Sequence, residues 1–178
     1  MTMQPIHNAY DVIIVGGRCA GAATAMLLAA LGVRVLVFDK SRLGTDTVST
    51  HALMRPAVVL LQRWGITDRL DAEGTPRIQK TAFTYADAHG GETVEVDIKA
   101  RNGVDALYAP RRTVLDRVLA EAARDAGADV RHGVRMMDLL RDDSGRVSGV
   151  VLRDGGGRVR EVQAGLVIGA DGRRSNVA

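Results

Sequence analysis

The residues best placed to do chemistry lie near the start of the chain, in "DVIIVGGRCAGAATAMLLA", Asp11 to Ala29. A phosphate-binding turn of the form G-x-G-x-x-G needs a first glycine for a tight turn and a second so that backbone can approach a pyrophosphate. It needs a third so that helix and strand pack closely. Gly16 and Gly21 fill the first and third positions, and Gly17 stands beside the first. Arg18 occupies the place of the second glycine and is followed by Cys19 and Ala20. An imperfect glycine motif is a weak signal alone. Here a β-branched run precedes it, an Ala/Leu-rich segment follows it, and an acid, Asp39, comes about twenty residues later. A carboxylate at that point accepts hydrogen bonds from ribose hydroxyls and repels a 2′-phosphate.

Arg18 has three readings: a solvated side chain at a helix start, a cation added to the positive helix N-terminus near a pyrophosphate, or a cation leaning toward the reactive end of a cofactor. Cys19 sits where a thiol pKa can fall. With no second cysteine in the chain to resolve an oxidised form, it reads as a small packing residue. A hydroxyl-rich loop, "TDTVSTH", ends in Thr50 and His51; either these donate to a cofactor or substrate, or Ser49 or Thr50 caps the next helix and His51 is merely exposed. Near the other end, Asp171 and Gly172 follow a run of apolar residues. Asp-Gly is a common turn, but at the end of a strand in an open α/β sheet it stands where ligands bind.

The elements that position these residues follow from periodicity. "DVIIVG" and "VRVLVFD" read as strands buried on both faces, and "CAGAATAMLLAALG" between them as a helix stopped by Gly32, making a β-α-β unit. Residues 1–9 read as a loose tail. "RPAVVLLQRWG" is a helix with Pro56 near its start, and "TDRLDAEG" a short capped turn. "KTAFTYADAHGGETVEVDI" alternates around His89-Gly90-Gly91 and predicts a β-hairpin. "APRRTVLDRVLAEAARDAGA" is an amphipathic helix with Val114, Leu115, Val118, Leu119 and Ala122 on one face. A short strand "DVRHG" follows, then three strands around 134–141, 146–153 and 158–163 in an antiparallel meander, then a separate buried strand "AGLVIGADG". The fold expected is α/β: a Rossmann-like dinucleotide-binding domain with a parallel sheet, an antiparallel meander and a β-hairpin insertion. Its nucleotide domain spans 10–75 and 104–178, and 76–103 is the hairpin that begins a substrate domain.

The chain has 178 residues, enough for one domain with a sizeable core. Its net charge is +3, its arginines are scattered among acids, and aromatic residues make up 3%, so no nucleic-acid stripe is expected. No metal-ligand spacing or hydrolytic triad stands out. The longest apolar segment is too short and glycine-broken to span a bilayer. Without a visible signal peptide the expected location is cytoplasmic.

Four stretches in order, "VGGRCAGAATAMLLAALGVRVLVFDK", "DTVSTHALMRPAVVLLQRWGI", "APRRTVLDRVLAEAARDAGA" and "LVIGADGRRSNV", resemble the FAD-dependent monooxygenases and the related geranylgeranyl-reductase-like flavoproteins. Many of these relatives carry an arginine in the glycine turn. The resemblance implies that Gly16, Gly17, Arg18, Cys19, Ala20 and Gly21 surround the FAD pyrophosphate, and that Asp39 and Lys40 meet the adenosine ribose. It implies that Arg112 reaches the cofactor, that Val134 makes a backbone contact to adenine, and that Asp171 and Gly172 form the family's D-G motif. From the residues alone, Arg112 reads as a surface helix charge and Val134 as an ordinary strand residue.

The implied activity is oxidation of a small organic molecule, with NAD(P)H reducing FAD and the reduced flavin activating dioxygen. The rival readings are reduction of isoprenoid double bonds, nucleotide binding without catalysis, and an NAD-binding Rossmann domain. Two departures stand out. The D-G signature usually ends in arginine, whereas Asn176, Val177 and Ala178 stand here. Relatives also continue to a G-D motif and a substrate-domain sheet, so the resemblance implies the N-terminal part of a longer protein or a truncated product.

Overall fold

The computed structural model describes residues 6–47, 52–86, 91–173 and 175–178. From the N-terminus the elements are β1 (Ala9–Val15), α1 (Cys19–Ala30), β2 (Val35–Asp39), α2 (Arg55–Arg63), α3 (Ile66–Ala72), β3 (Arg77–Ile78) and β4 (Lys80–Tyr85). They continue with β5 (Glu92–Asp97), β6 (Leu107–Tyr108), α4 (Arg112–Asp125), β7 (Asp129–His132), β8 (Arg135–Arg141), β9 (Val147–Arg153) and β10 (Val159–Gly169). The chain forms two compact units, one from Met1–Asp46 with Leu115–Ala178 and one from Thr47–Val114.

The first unit is a Rossmann-like α/β domain. Its six-stranded sheet has the order β7-β2-β1-β10-β9-β8. β7, β2, β1 and the second half of β10 run parallel, while β10, β9 and β8 form the antiparallel meander. β1 is flanked by β2 and β10, so Ile13 and Ile14 are fully buried, as a continuous β-branched run requires. α1 packs through small residues, Ala22, Ala25 and Ala29, and ends where Gly32 takes the left-handed conformation at φ +81°. The core gathers Phe38, Leu36, Val150, Leu152 and Val162.

Two expectations for this unit are corrected. The last meander strand and the separate strand over "AGLVIGADG" are one continuous strand, β10, which is eleven residues long. Through Gln163 it pairs with β9. Beyond it, among the described residues, β10 pairs with β1 alone, and Leu166 is half exposed rather than buried. The tail is also shorter than expected. The Gln163 N–H donates to the Asn8 carbonyl at 2.9 Å, and Ile6 packs against the core.

In the second unit, α2 and α3 pack together, and "TDRLDAEG" forms most of a two-turn helix rather than a single capped turn. β3 pairs with β6, and β4 with β5 in the expected hairpin, of whose turn His89 and Gly90 lie outside the described residues. Both hairpin strands are almost wholly exposed. Arg55 ties this unit together by donating to the carbonyls of Val104 and Lys99, both at 2.8 Å. Among the described residues no helix is long and apolar enough to cross a membrane.

Candidate functional site

The C-terminal ends of β1, β2 and β10 meet at the glycine turn. The Gly16 N–H donates to the Phe38 carbonyl at 2.8 Å, and the Ala170 N–H donates to the Val15 carbonyl at 2.7 Å. Gly16 has φ +105°, and a Cβ there would lie 2.4 Å from the Ala170 oxygen. A Cβ on Gly21 would lie 1.7 Å from the Gly16 oxygen. Both positions therefore demand glycine for the fold itself. Arg18 does not. Its φ of −88° and ψ of −163° are extended backbone open to any L-residue, so the missing second glycine costs the turn nothing.

Arg18 is the N-cap of α1, with no side-chain cap and no acid in the first turn of the helix. Its Nη1 donates to Asp116 Oδ2 at 3.4 Å, and the Cys19 thiol donates to Asp116 Oδ1 at 3.0 Å. The guanidinium is thus neither simply solvated nor loose: its side chain is 32% exposed and pairs with an aspartate that is 8% exposed. Cys19 is half-buried, and its thiol is hydrogen-bonded to a carboxylate. Ala20 is exposed on the same turn.

Asp39 ends β2 and is buried. The Gly17 N–H donates to its Oδ2 at 3.0 Å and the Ser41 N–H to its Oδ1 at 2.7 Å. Each carboxylate oxygen keeps a further lone pair for a hydroxyl. Lys40, next to it, is exposed. The Val134 N–H donates to the Asp39 carbonyl at 3.0 Å, and the Val134 side chain is buried in the core. Asp171 accepts from Ser175 Oγ and the Asn176 N–H, each at 2.7 Å, so its carboxylate organises the turn after β10 while Gly172 takes φ +85°. Arg112, half-buried, opens α4 and falls in the second unit. Thr50 and His51 lie outside the described residues.

The tertiary structure adds two residues to this edge. Asp116 is a buried acid on the apolar face of α4, between Leu115 and Val118, and an acid at such a position was the available signal. His132 ends β7 directly beside Asp39 in the parallel register. Gly17, Arg18, Asp39, Ser41, Asp116 and His132 line one cleft. Burial holds the His132 imidazole below its ordinary pKa, and the Arg124 guanidinium pushes the same way, against the opposing pull of Asp39 and Asp116.

Comparison with known proteins decides the family. The sequence profile described as FAD binding domain matches residues 9–178. The chain belongs to this FAD binding domain family. Together with its monooxygenase and geranylgeranyl-reductase relatives, this bears out the resemblance to FAD-dependent monooxygenases and geranylgeranyl-reductase-like flavoproteins. A menaquinone reductase of Mycolicibacterium smegmatis is 34% identical over 167 residues, which cover 94% of this chain and 38% of that protein. A phenol 2-monooxygenase of a Pseudomonas species is 27% identical, covering 94% of this chain and 29% of that protein. Among solved structures, the myxobacterial chondrochloren halogenase CndH superposes with a TM-score of 0.82 at 24% identity. That match covers 96% of this chain and 39% of the halogenase and shows a shared fold. The FAD binding domain described here thus spans less than half the length of the relatives it matches.

Proposed function

We propose that this chain is the FAD-binding part of a flavin-dependent monooxygenase that uses NAD(P)H and dioxygen on a small organic substrate. The observation that carries the reading is the Gly16–Gly21 turn, pressed against Ala170 and Asp171 with Asp39 across from it at the same sheet edge. The residues present fit the cofactor. Gly17 is bare, and a Cβ there would come 3.3 Å from the Asp39 Cβ. The α1 N-terminus carries no side-chain cap or acid of its own, and Arg18 adds positive charge where phosphates would sit. Asp39 keeps acceptor capacity for ribose hydroxyls. When bound, FAD would supply the redox chemistry, accepting hydride from NAD(P)H and passing electrons to dioxygen. The chain's own residues bind and orient: the turn backbone and Arg18 hold phosphates, and Asp39 selects a free ribose. In this reading 10–75 and 104–178 are the cofactor domain, and 76–103 begins a substrate domain.

A second reading is a flavin-dependent reductase of isoprenoid double bonds. It is favoured by the higher identity to a digeranylgeranylglycerophospholipid reductase of Methanothermobacter thermautotrophicus, 33% against 27% for the phenol monooxygenase. Two measurements test the proposal. Calorimetric titration of the purified chain should show FAD binding more tightly than NAD⁺, and the reverse order overturns the flavin reading. In the presence of NAD(P)H and candidate phenols, oxygen consumption matched by product supports the monooxygenase. Saturation of an isoprenoid substrate by NAD(P)H without oxygen uptake supports the reductase.

A further inference from the structure

His132 stands at the C-terminal end of β7, and its Cα partner across the parallel ladder is Asp39. The two share the cleft with Gly17, Arg18 and Asp116. Arg124 Nη2 lies 3.4 Å from His132 Nδ1. A guanidinium can only donate, so Nδ1 must accept, and the ring proton resides on Nε2. The charged groups facing the ring are Arg124 and Asp116 from α4 and Asp39 from β2. Burial, and then Arg124, hold the pKa of the ring below the ordinary value against the pull of Asp39 and Asp116, which favours the neutral ring. No hydrogen bond engages Nε2 among the described residues.

We infer that His132 is a further nucleotide-binding residue of this domain, donating from Nε2 to the adenosine half of the cofactor. The inference rests on the FAD reading above. A ribose hydroxyl is both donor and acceptor, so it can donate to the Asp39 carboxylate and accept from a neutral N–H beside it. The cleft then divides its labour. The α1 N-terminus and Arg18 meet charged phosphates, while Asp39 and His132 meet uncharged ribose or base atoms. A neutral imidazole suits that second task, because it brings donor capacity without a cation that would neutralise Asp39.

The test is calorimetric titration of the full 178-residue chain and its variants with FAD and with ADP. Wild type is expected to bind both. His132→Phe keeps a planar ring without the donor and should weaken both ligands about tenfold, the size of one neutral hydrogen bond lost from a buried site. His132→Gln carries an amide N–H at about the distance of Nε2 and should recover most of the affinity. His132→Asn places its amide nearer Nδ1 and should not. Melting temperatures within the wild-type range for the Gln and Asn pair make the comparison independent of whether the Phe variant folds. Wild-type-like affinity in the Asn and Phe variants overturns the role of His132 while leaving the FAD reading intact. Equal weakening in Gln and Asn overturns the donor assignment. A wild-type chain that binds neither FAD nor ADP overturns the FAD reading and this inference with it.

Discussion

Asp116 and Arg18 should behave as one unit, and a double-mutant cycle measures it. At 3.4 Å, two unit charges in an effective dielectric of about 20 attract by roughly 5 kcal/mol. Desolvating the Asp116 carboxylate offsets several kcal/mol of this. The 32% exposure of the Arg18 side chain admits water and salt, which screen it further. The net cost of breaking the pair should lie between the exposed and buried cases, about 1–2 kcal/mol. Arg18→Ala leaves the Asp116 charge buried with only the Cys19 thiol and its other neighbours around it. It should lower the melting temperature by about 2–8 °C in a chain of this size. Asp116→Asn keeps one carbonyl acceptor, for either the Cys19 thiol or Arg18, and removes the buried charge, so it should cost less. With Asn at 116, Arg18→Ala should cost little, giving a coupling of about 1 kcal/mol. Urea unfolding of the four proteins, repeated at high salt, reads the coupling directly, and salt should shrink it. Single effects that sum to the double-mutant effect within about 0.3 kcal/mol would mean that the two side chains are neighbours without an energetic link.

Three further outcomes are expected. Gly16→Ala forces a Cβ into the Ala170 carbonyl at φ +105°. It should destabilise the domain by more than about 3 kcal/mol, and a melting temperature near wild type would show that the turn can relax. Asp39→Ala removes an acceptor facing the proposed ribose and should weaken ADP binding by about 1.5–3 kcal/mol; calorimetry showing unchanged affinity removes Asp39 from the site. For pH, the folded His132 is held below its ordinary value by burial and then by Arg124. The unfolded chain therefore takes up a proton first as pH falls through about 6.5. The stability associated with neutral His132 is fully present above about pH 6.5 and is lost as pH drops through the folded pKa. His132→Gln should flatten the change in melting temperature between about pH 7.5 and about pH 5.5; an identical slope in both proteins assigns it to other groups.

The division between what was legible in the sequence and what was not follows the range of the forces involved. The β-α-β unit, its glycine stop at Gly32, the hairpin strands and the two obligatory glycines of the turn all rest on local periodicity and backbone freedom. Asp39 stood at its expected place because strand length and the β-α-β crossover carry an acid to the same sheet edge. Turn chemistry also marked Asp171 and Gly172, although only the structure shows the Asp171 carboxylate engaged with Ser175 and Asn176. The orientation of Arg18 had three readings from sequence, and its partner lies 98 residues away on α4. The rotation of α4 about its axis, set by Leu115, Val118 and Leu119 packing inward, carries Asp116 to Arg18 and Cys19. Likewise the β2–β7 register, not any motif, puts His132 beside Asp39. Periodicity and turn residues act over a few positions and are written in the chain. Ion-pair partners and cross-strand neighbours depend on how distant elements dock, so the tertiary structure alone decides them.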